Sequence, residues 1–176
     1  MQRCNQNEHQ TIHQHGLAVA GMYQDLIAGR HTGWKLPEWF ISHGERLLRD
    51  QPSAALMWLY HEFHDCGKPY CRQVDADGRQ HFPNHALVSA SVWRVRCGDG
   101  LIADLIQHDM DLHLLKPSTF ETFTRFDLAP ALLLTALSEL HANAPMFGGT
   151  DSTSFKIKLK NLSKIGTRLC NLLYKD

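Results

Sequence analysis

Between positions 61 and 69 the chain reads His61-Glu62-Phe63-His64-Asp65-Cys66-Gly67-Lys68-Pro69. An imidazole beside a carboxylate is a donor set for a divalent metal ion. His61, His64 and Asp65 fall at i, i+3 and i+4, the spacing that shares one face of a helix. His64 and Asp65 are adjacent, so both reach one ion only near a helix end, where the site stays open to water and substrate. Three further imidazoles, His15, His85 and His108, lie far away in sequence, each at the edge of the apolar stripe of its own expected helix. A core histidine bonded to a backbone carbonyl explains any one of them taken alone. Taken together, with Gly67 and Lys68 following the doublet, they read as ligands.

Such a mixed set suits Mn, Fe, Co, Ni or Zn, and Mg less well. Water on such an ion ionises near neutral pH and can attack phosphorus. Lys68, with Arg72 beyond it, could stabilise the charge that develops on the phosphoryl oxygens. The plainer reading of Lys68 is a solvated side chain after a helix stop.

The elements that must position these residues are helical almost throughout. Apolar residues at a period near 3.6 predict a first helix over 11–28, closed by Gly29 and Gly33. Pro37 starts a second, to about 49, and Ser53 caps a third over 54–64 that Gly67 and Pro69 stop. Residues 70–82, with the turn signal Asp75-Ala76-Asp77-Gly78, read as a long loop or small hairpin. The same acids echo a calcium loop but lack its later bidentate acid. Asn84 is expected to cap a helix to about 96, followed by helices over 101–115, from 127 or 128 to about 144, and over 154–174. Pro145 to Thr150 reads as a Gly-rich loop, a lid or simply a connection. Trp58 and Trp93 fit core positions.

With 176 residues, 43% hydrophobic and 20% charged, the chain reads as one globular domain over 1–176, its core about 11–145. The formal net charge is zero, so no global field favours nucleic acid or an anionic membrane. Lys156, Lys158, Lys160, Lys164 and Arg168 give the last helix a basic face, read as solvated or as a weak nucleic-acid backbone contact. Five cysteines without a C-x-x-C pair argue against a zinc knuckle and against a disulfide framework. With no apolar signal segment and no run long enough to span a bilayer, the expectation is a cytoplasmic protein without a membrane partner. The twelve histidines are expected mostly at the surface, His9, His31 and His43 among them.

On these residues the chain resembles the HD-domain metal-dependent phosphohydrolases. The run His64-Asp65-Cys66-Gly67-Lys68-Pro69, the turn at Asp77-Gly78 and the stretch Phe82-Pro83-Asn84-His85 are similar to the HD domain attached to bacterial CCA-adding tRNA nucleotidyltransferases. The resemblance implies an all-α bundle of about six to seven helices with the metal site at its centre. It implies His15, His64 and Asp65 as metal ligands, with His85 and His108 matching the two histidines found where the family holds a second ion. Lys68 matches a lysine that meets phosphate, which makes Asp65 and Lys68 catalytic and Lys68, Arg72 and Arg79 substrate-binding. The family's late aspartate is replaced in Leu137-Ser138-Glu139-Leu140-His141-Ala142, so Glu139 stands in for it, or Asp109 or Asp111 does. The implied substrates are nucleotides or nucleic-acid ends, with 2′,3′-cyclic phosphates favoured and phosphomonoesters and deoxynucleoside triphosphates open. The polymerase head of those enzymes is absent, so tRNA synthesis is not implied. Two other readings stand beside this one: an HD-type di-iron oxygenase, and a non-catalytic binding protein with a degenerate HD fold. Oligomeric state is left open.

Overall fold

Helical periodicity and its stop signals become the elements in this order, in a computed structural model that describes residues 1–7 and 10–175. His9, expected at the surface, lies outside the described residues. Helix α1 is Ile12–Ile27, α2 Glu38–Arg49, α3 Ala54–Phe63 and the one-turn α4 Lys68–Cys71. A two-stranded antiparallel hairpin follows, β1 Gln73–Val74 and β2 Gln80–His81, with Gln73 opposite His81. Then come α5 His85–Cys97, α6 Leu101–His108, α7 Asp111–Leu114, α8 Phe120–Thr124 and α9 Ala129–Ala142. A 3-10 turn, Ala144–Phe147, leads to α10, Thr153–Leu173. Seven of these helices have eight residues or more, and the all-α class is that expected.

Local chemistry explains the boundaries. Ser53 caps α3, its Oγ accepting from Leu56 N at 3.4 Å. Ser152 does the same for α10, accepting from Phe155 N at 3.2 Å. In the hairpin turn Asp75 Oδ1 accepts from the backbone N–H groups of Asp77 at 3.0 Å and Arg79 at 2.8 Å. Its other oxygen lies 2.9 Å from His81 Nε2. The carboxylate that echoed a calcium loop is thus committed to the turn itself.

Several boundaries differ from those expected. Helix α3 ends at Phe63, within a residue of the expected end, but the chain turns through 64–67 into a further one-turn helix, α4. Pro69 sits in the first turn of α4, where its missing N–H costs nothing. Asn84 stands before α5 in the left-handed region (φ 53) with no side-chain cap, a single-residue conformation asparagine tolerates. The helix expected over 101–115 breaks after His108 and resumes at Asp111. Helix α8 was not anticipated, and the loop after α9 begins with a 3-10 turn. Trp58 is 38% exposed rather than core, its Nε1–H donating to Glu62. Among the described histidines, His15, His61, His64 and His141 are buried, and His31 and His43 are half-buried.

The described chain divides into two compact units of interleaved sequence. The first takes residues 1–20 and 53–111, and the second 21–52 and 112–175. Met57, Tyr60, Leu105 and Ile106 are fully buried in the first. In the second, Leu26, Leu47, Leu133 and Phe155 are buried as completely. Only Glu139 and Ala142 of α9 escape full burial, which makes it a helix enclosed on nearly all sides. No described helix is long and apolar enough to cross a membrane.

Candidate metal centre

Asp65 sits two residues past the end of α3, in the first unit, and is 1% exposed. Three imidazoles approach it. His64 Nε2 lies 3.3 Å and His15 Nε2 3.9 Å from Asp65 Oδ2, and His85 Nε2 lies 3.6 Å from Oδ1. Ligand atoms of His15, His64 and Asp65 all fall within 4.8 Å of one another, close enough to hold one ion. His85 is more open, its side chain 18% exposed.

The backbone decides which nitrogen each ring turns inward. His64 Nδ1 lies 2.7 Å from the His61 carbonyl, and His85 Nδ1 lies 3.0 Å from the Phe82 carbonyl. A carbonyl only accepts, so each ring carries its proton on Nδ1 and presents a bare lone pair at Nε2 when neutral. Those lone pairs face a carboxylate, which is also an acceptor. Acceptors converge in this way only around a cation, whether a metal ion or a proton on the rings. For His15 the partner is an amide: Gln10 Nε2 lies 3.4 Å from its Nδ1, and a flip of that amide would present an accepting oxygen instead.

Part of the charge is already answered. Lys68, 7% exposed, donates from Nζ to Asp65 Oδ2 at 2.6 Å and to Gln6 Oε1 at 3.0 Å. Its ammonium also stands over the Phe82 ring, 5.4 Å from the centre. Asp65 Oδ1, by contrast, finds no hydrogen-bond donor among the described residues. Burial alone would push this carboxyl up. His64, Lys68 and His15 outweigh it and hold the group well below the usual carboxylate range, so Asp65 is ionised. The pull of His64 and His15 is that of positive charge on the rings, and a divalent ion bound at this buried, ionised carboxylate would take the place of that charge. Cys66 next to it is not a thiolate ligand: burial, then the Asp65 charge, push its thiol up to about 11.

Two glycines permit this convergence. A Cβ on Gly16 of α1 would collide with Glu62 O and come within 2.8 Å of His61 O, the carbonyl that orients His64. Gly16 therefore lets α1 carry His15 against the end of α3, and the His15 and His64 rings meet at 5.3 Å. A Cβ on Gly67 would collide with Ser89 N and lie 2.6 Å from Val88 C, so α5 passes directly over the turn after Asp65. Gly67 N donates to Ser89 Oγ at 2.8 Å there.

The other expected residues are placed as follows. His61 is buried but contributes its carbonyl rather than a ligand atom. His108 pairs through Nδ1 with Asp111 Oδ2 at 2.6 Å. Asp109 accepts from the Tyr60 hydroxyl, and the Tyr60 ring lies 6.3 Å from that of His64. Glu139 belongs to the second unit, where its Oε2 lies 4.0 Å from His113 Nε2. Arg72 and Arg79 are exposed at the hairpin, and Arg72 Nε donates to Gln80 Oε1 at 2.6 Å. Gln6, Gln10 and Tyr60 escaped the sequence reading because no periodicity or motif marks them.

Fold and cluster together define an all-α protein with a buried carboxylate ringed by imidazoles. No family model, curated protein or solved structure matches the chain.

Proposed function

We propose that this chain is a metal-dependent phosphohydrolase of the HD type, cleaving phosphoesters of nucleotides or nucleic-acid ends, with 2′,3′-cyclic phosphates favoured. The observation that carries the reading is the convergence of the His15, His64 and His85 Nε2 atoms on the buried Asp65 carboxylate, whose Oδ1 lacks a hydrogen-bond donor among the described residues. His15, His64 and Asp65 would hold the ion, with His85 on the more open side. When bound, a divalent ion there supplies Lewis acidity and a water acidic enough to be a nucleophile at neutral pH.

The chain's own residues do the rest. The His61 and Phe82 carbonyls keep their imidazoles in the ligating tautomer. Gly16 and Gly67 bring three segments to contact. Lys68, already at Asp65 Oδ2, is the cation nearest the centre and would pair with a phosphoryl oxygen, with Arg72 and Arg79 further out on the hairpin. Of the three acids that could complete the ligand set, Asp109 and Asp111 share the unit of Asp65, and Asp109 is tied through Tyr60 to α3.

One observation favours a second, metal-free reading, a non-catalytic binding protein. The Lys68 ammonium already compensates the Asp65 charge at 2.6 Å. Metal analysis of the purified protein separates the two, followed by assay with Mn, Ni, Co or Mg. The substrates would be 2′,3′-cyclic nucleotides, a generic phosphodiester, a phosphomonoester and deoxynucleoside triphosphates. Metal-dependent turnover lost in Asp65→Ala and His64→Ala is the expected result. A metal-free protein inactive with every ion favours the binding protein, and bound iron with a visible absorption band favours an oxygenase.

A further inference from the structure

Apolar side chains that the core of the first unit leaves uncovered line a cavity of about 500 Å³. That volume lies in the range of about 300–1,000 Å³ typical of small-molecule sites. Leu59 and Phe63, one turn apart on α3, form one wall, and Val92 and Trp93 of α5 form another. Tyr70 of α4 borders it and is 72% exposed, and Leu59 is 39% exposed. Trp93, expected in the core, is half-buried here, its ring 5.7 Å from that of Phe63 and tilted by 48° rather than stacked on it. Apolar surface gathered in a concavity, rather than scattered singly, marks a binding site.

The polar groups decide what kind of ligand fits. Arg96 is the one charged side chain on this cavity among the described residues. The acids nearest in sequence are engaged elsewhere. Glu62 lies 2.9 Å from His13 Nε2 and accepts from Trp58 Nε1 at 3.1 Å, and Asp99 pairs with Arg94 at 2.9 Å. No described carboxylate pairs with Arg96. A neighbouring cavity of about 430 Å³ shares Met1 and Pro69 with this one and is lined by Arg3 and Arg72, again without an acid. Two adjoining cavities thus carry three arginines and no carboxylate, in a chain of zero net charge. The other polar side chains of the apolar cavity are the Tyr70 hydroxyl and the thiols of Cys66 and Cys97, and Cys66 already donates to Ser89 O. Such a lining cannot read a patterned polar body such as a nucleobase.

We infer that this cavity binds an organic anion with one carboxylate on a large apolar body, aryl or acyl. The body lies against Leu59, Phe63, Val92 and Trp93, with Tyr70 at its exposed side, and the carboxylate pairs with Arg96. The inference does not rest on the metal centre, because neither Asp65 nor Lys68 nor any of the three imidazoles lines this cavity.

The test is calorimetric titration of the full chain with 2-naphthoate and octanoate, their neutral amides and the matching amines. A chelator in the buffer keeps any ion at Asp65 from drawing the carboxylate. At least one carboxylate is expected to bind in the submillimolar range, its amide at least about threefold more weakly and its amine more weakly still. The tighter of the two carboxylates names the body as aryl or acyl. In Arg96→Gln, at an exposed position, carboxylate and amide should bind alike. Cys97, a free thiol on the same cavity, gives a local readout. Saturating ligand should slow its maleimide labelling at least about threefold, followed by mass spectrometry of the Cys97 peptide. Absence of binding at millimolar concentration, equal binding of carboxylate, amide and amine, a charge preference that survives Arg96→Gln, or unchanged Cys97 labelling would each overturn the inference. So would Cys97 protection that follows protein concentration without ligand, which assigns the face to a second copy of the chain.

Discussion

At Asp65 two kinds of cation contend for the same oxygen. The Lys68 ammonium sits 2.6 Å from Oδ2, the same oxygen that His15 Nε2 and His64 Nε2 approach, so an ion held by those rings would meet its charge. Lys68→Met should therefore raise metal affinity by about tenfold, within the range seen when outer-shell partners are changed, while lowering turnover of phosphate substrates. Titration against a chelator of known affinity measures the first effect, and unchanged affinity would mean that Lys68 does not compete. Asp65→Asn should lose the ion altogether, because it removes the negative charge and leaves Lys68 buried without a carboxylate.

At the scale of elements, the centre depends on helices that approach to backbone contact. Gly16→Ala places a methyl group against the Glu62 and His61 carbonyls. It should cost about 1–3 kcal/mol by overpacking and weaken metal binding at the same time, because α1 must back away from His64. Gly21, on the same helix, has nothing within 4 Å of its added Cβ. Gly21→Ala should instead stabilise by about 0.5–1 kcal/mol. Denaturant titration of both variants checks the pair, and equal effects would deny that α1 is packed to backbone contact at Gly16. Ser89→Ala removes the acceptor of the buried Gly67 N–H, a loss of about 1–3 kcal/mol, with the metal site loosened where α5 crosses it.

At the scale of the whole molecule, metal and protons should act on different units. His141 is buried in the second unit, stacked on Trp34 at 4.2 Å and edge-on to Phe155 at 5.2 Å. Burial holds its imidazole below the usual value, against a smaller upward pull from the Lys35 backbone. The unfolded chain therefore takes up this proton first. The stabilisation is complete above about pH 6.5 and is lost as the pH falls toward the folded value. Hydrogen exchange should show α9 and the start of α10 losing protection between pH 7 and 5, and His141→Phe should flatten that dependence. Added Mn or Co should instead protect the ends of α3 and the start of α5, in wild type and not in Asp65→Ala. Protection by metal confined to the second unit would contradict the centre proposed at Asp65.

Sequence alone determined the helical class, the caps at Ser53 and the turn at Asp75, because period, capping oxygens and turn acids act within a few residues. It also marked His15, His64, Asp65 and His85 as chemically able residues. The short α4, the break after His108 and the exposure of Trp58 were decided otherwise. Local propensity there is weak, and packing against distant segments settles the outcome. The same holds for the centre itself. Which ring nitrogen faces Asp65 depends on the carbonyls of His61 and Phe82, and the approaches of α1 and α5 on the bare faces of Gly16 and Gly67. Glu139 shows the limit most clearly. The family resemblance put it in the place of a late aspartate ligand, but only the tertiary structure sets it beside His113 on a cavity of the second unit. A donor type and a spacing can be read along one chain, whereas the meeting of two acceptors around a missing charge exists only once separate helices are packed together.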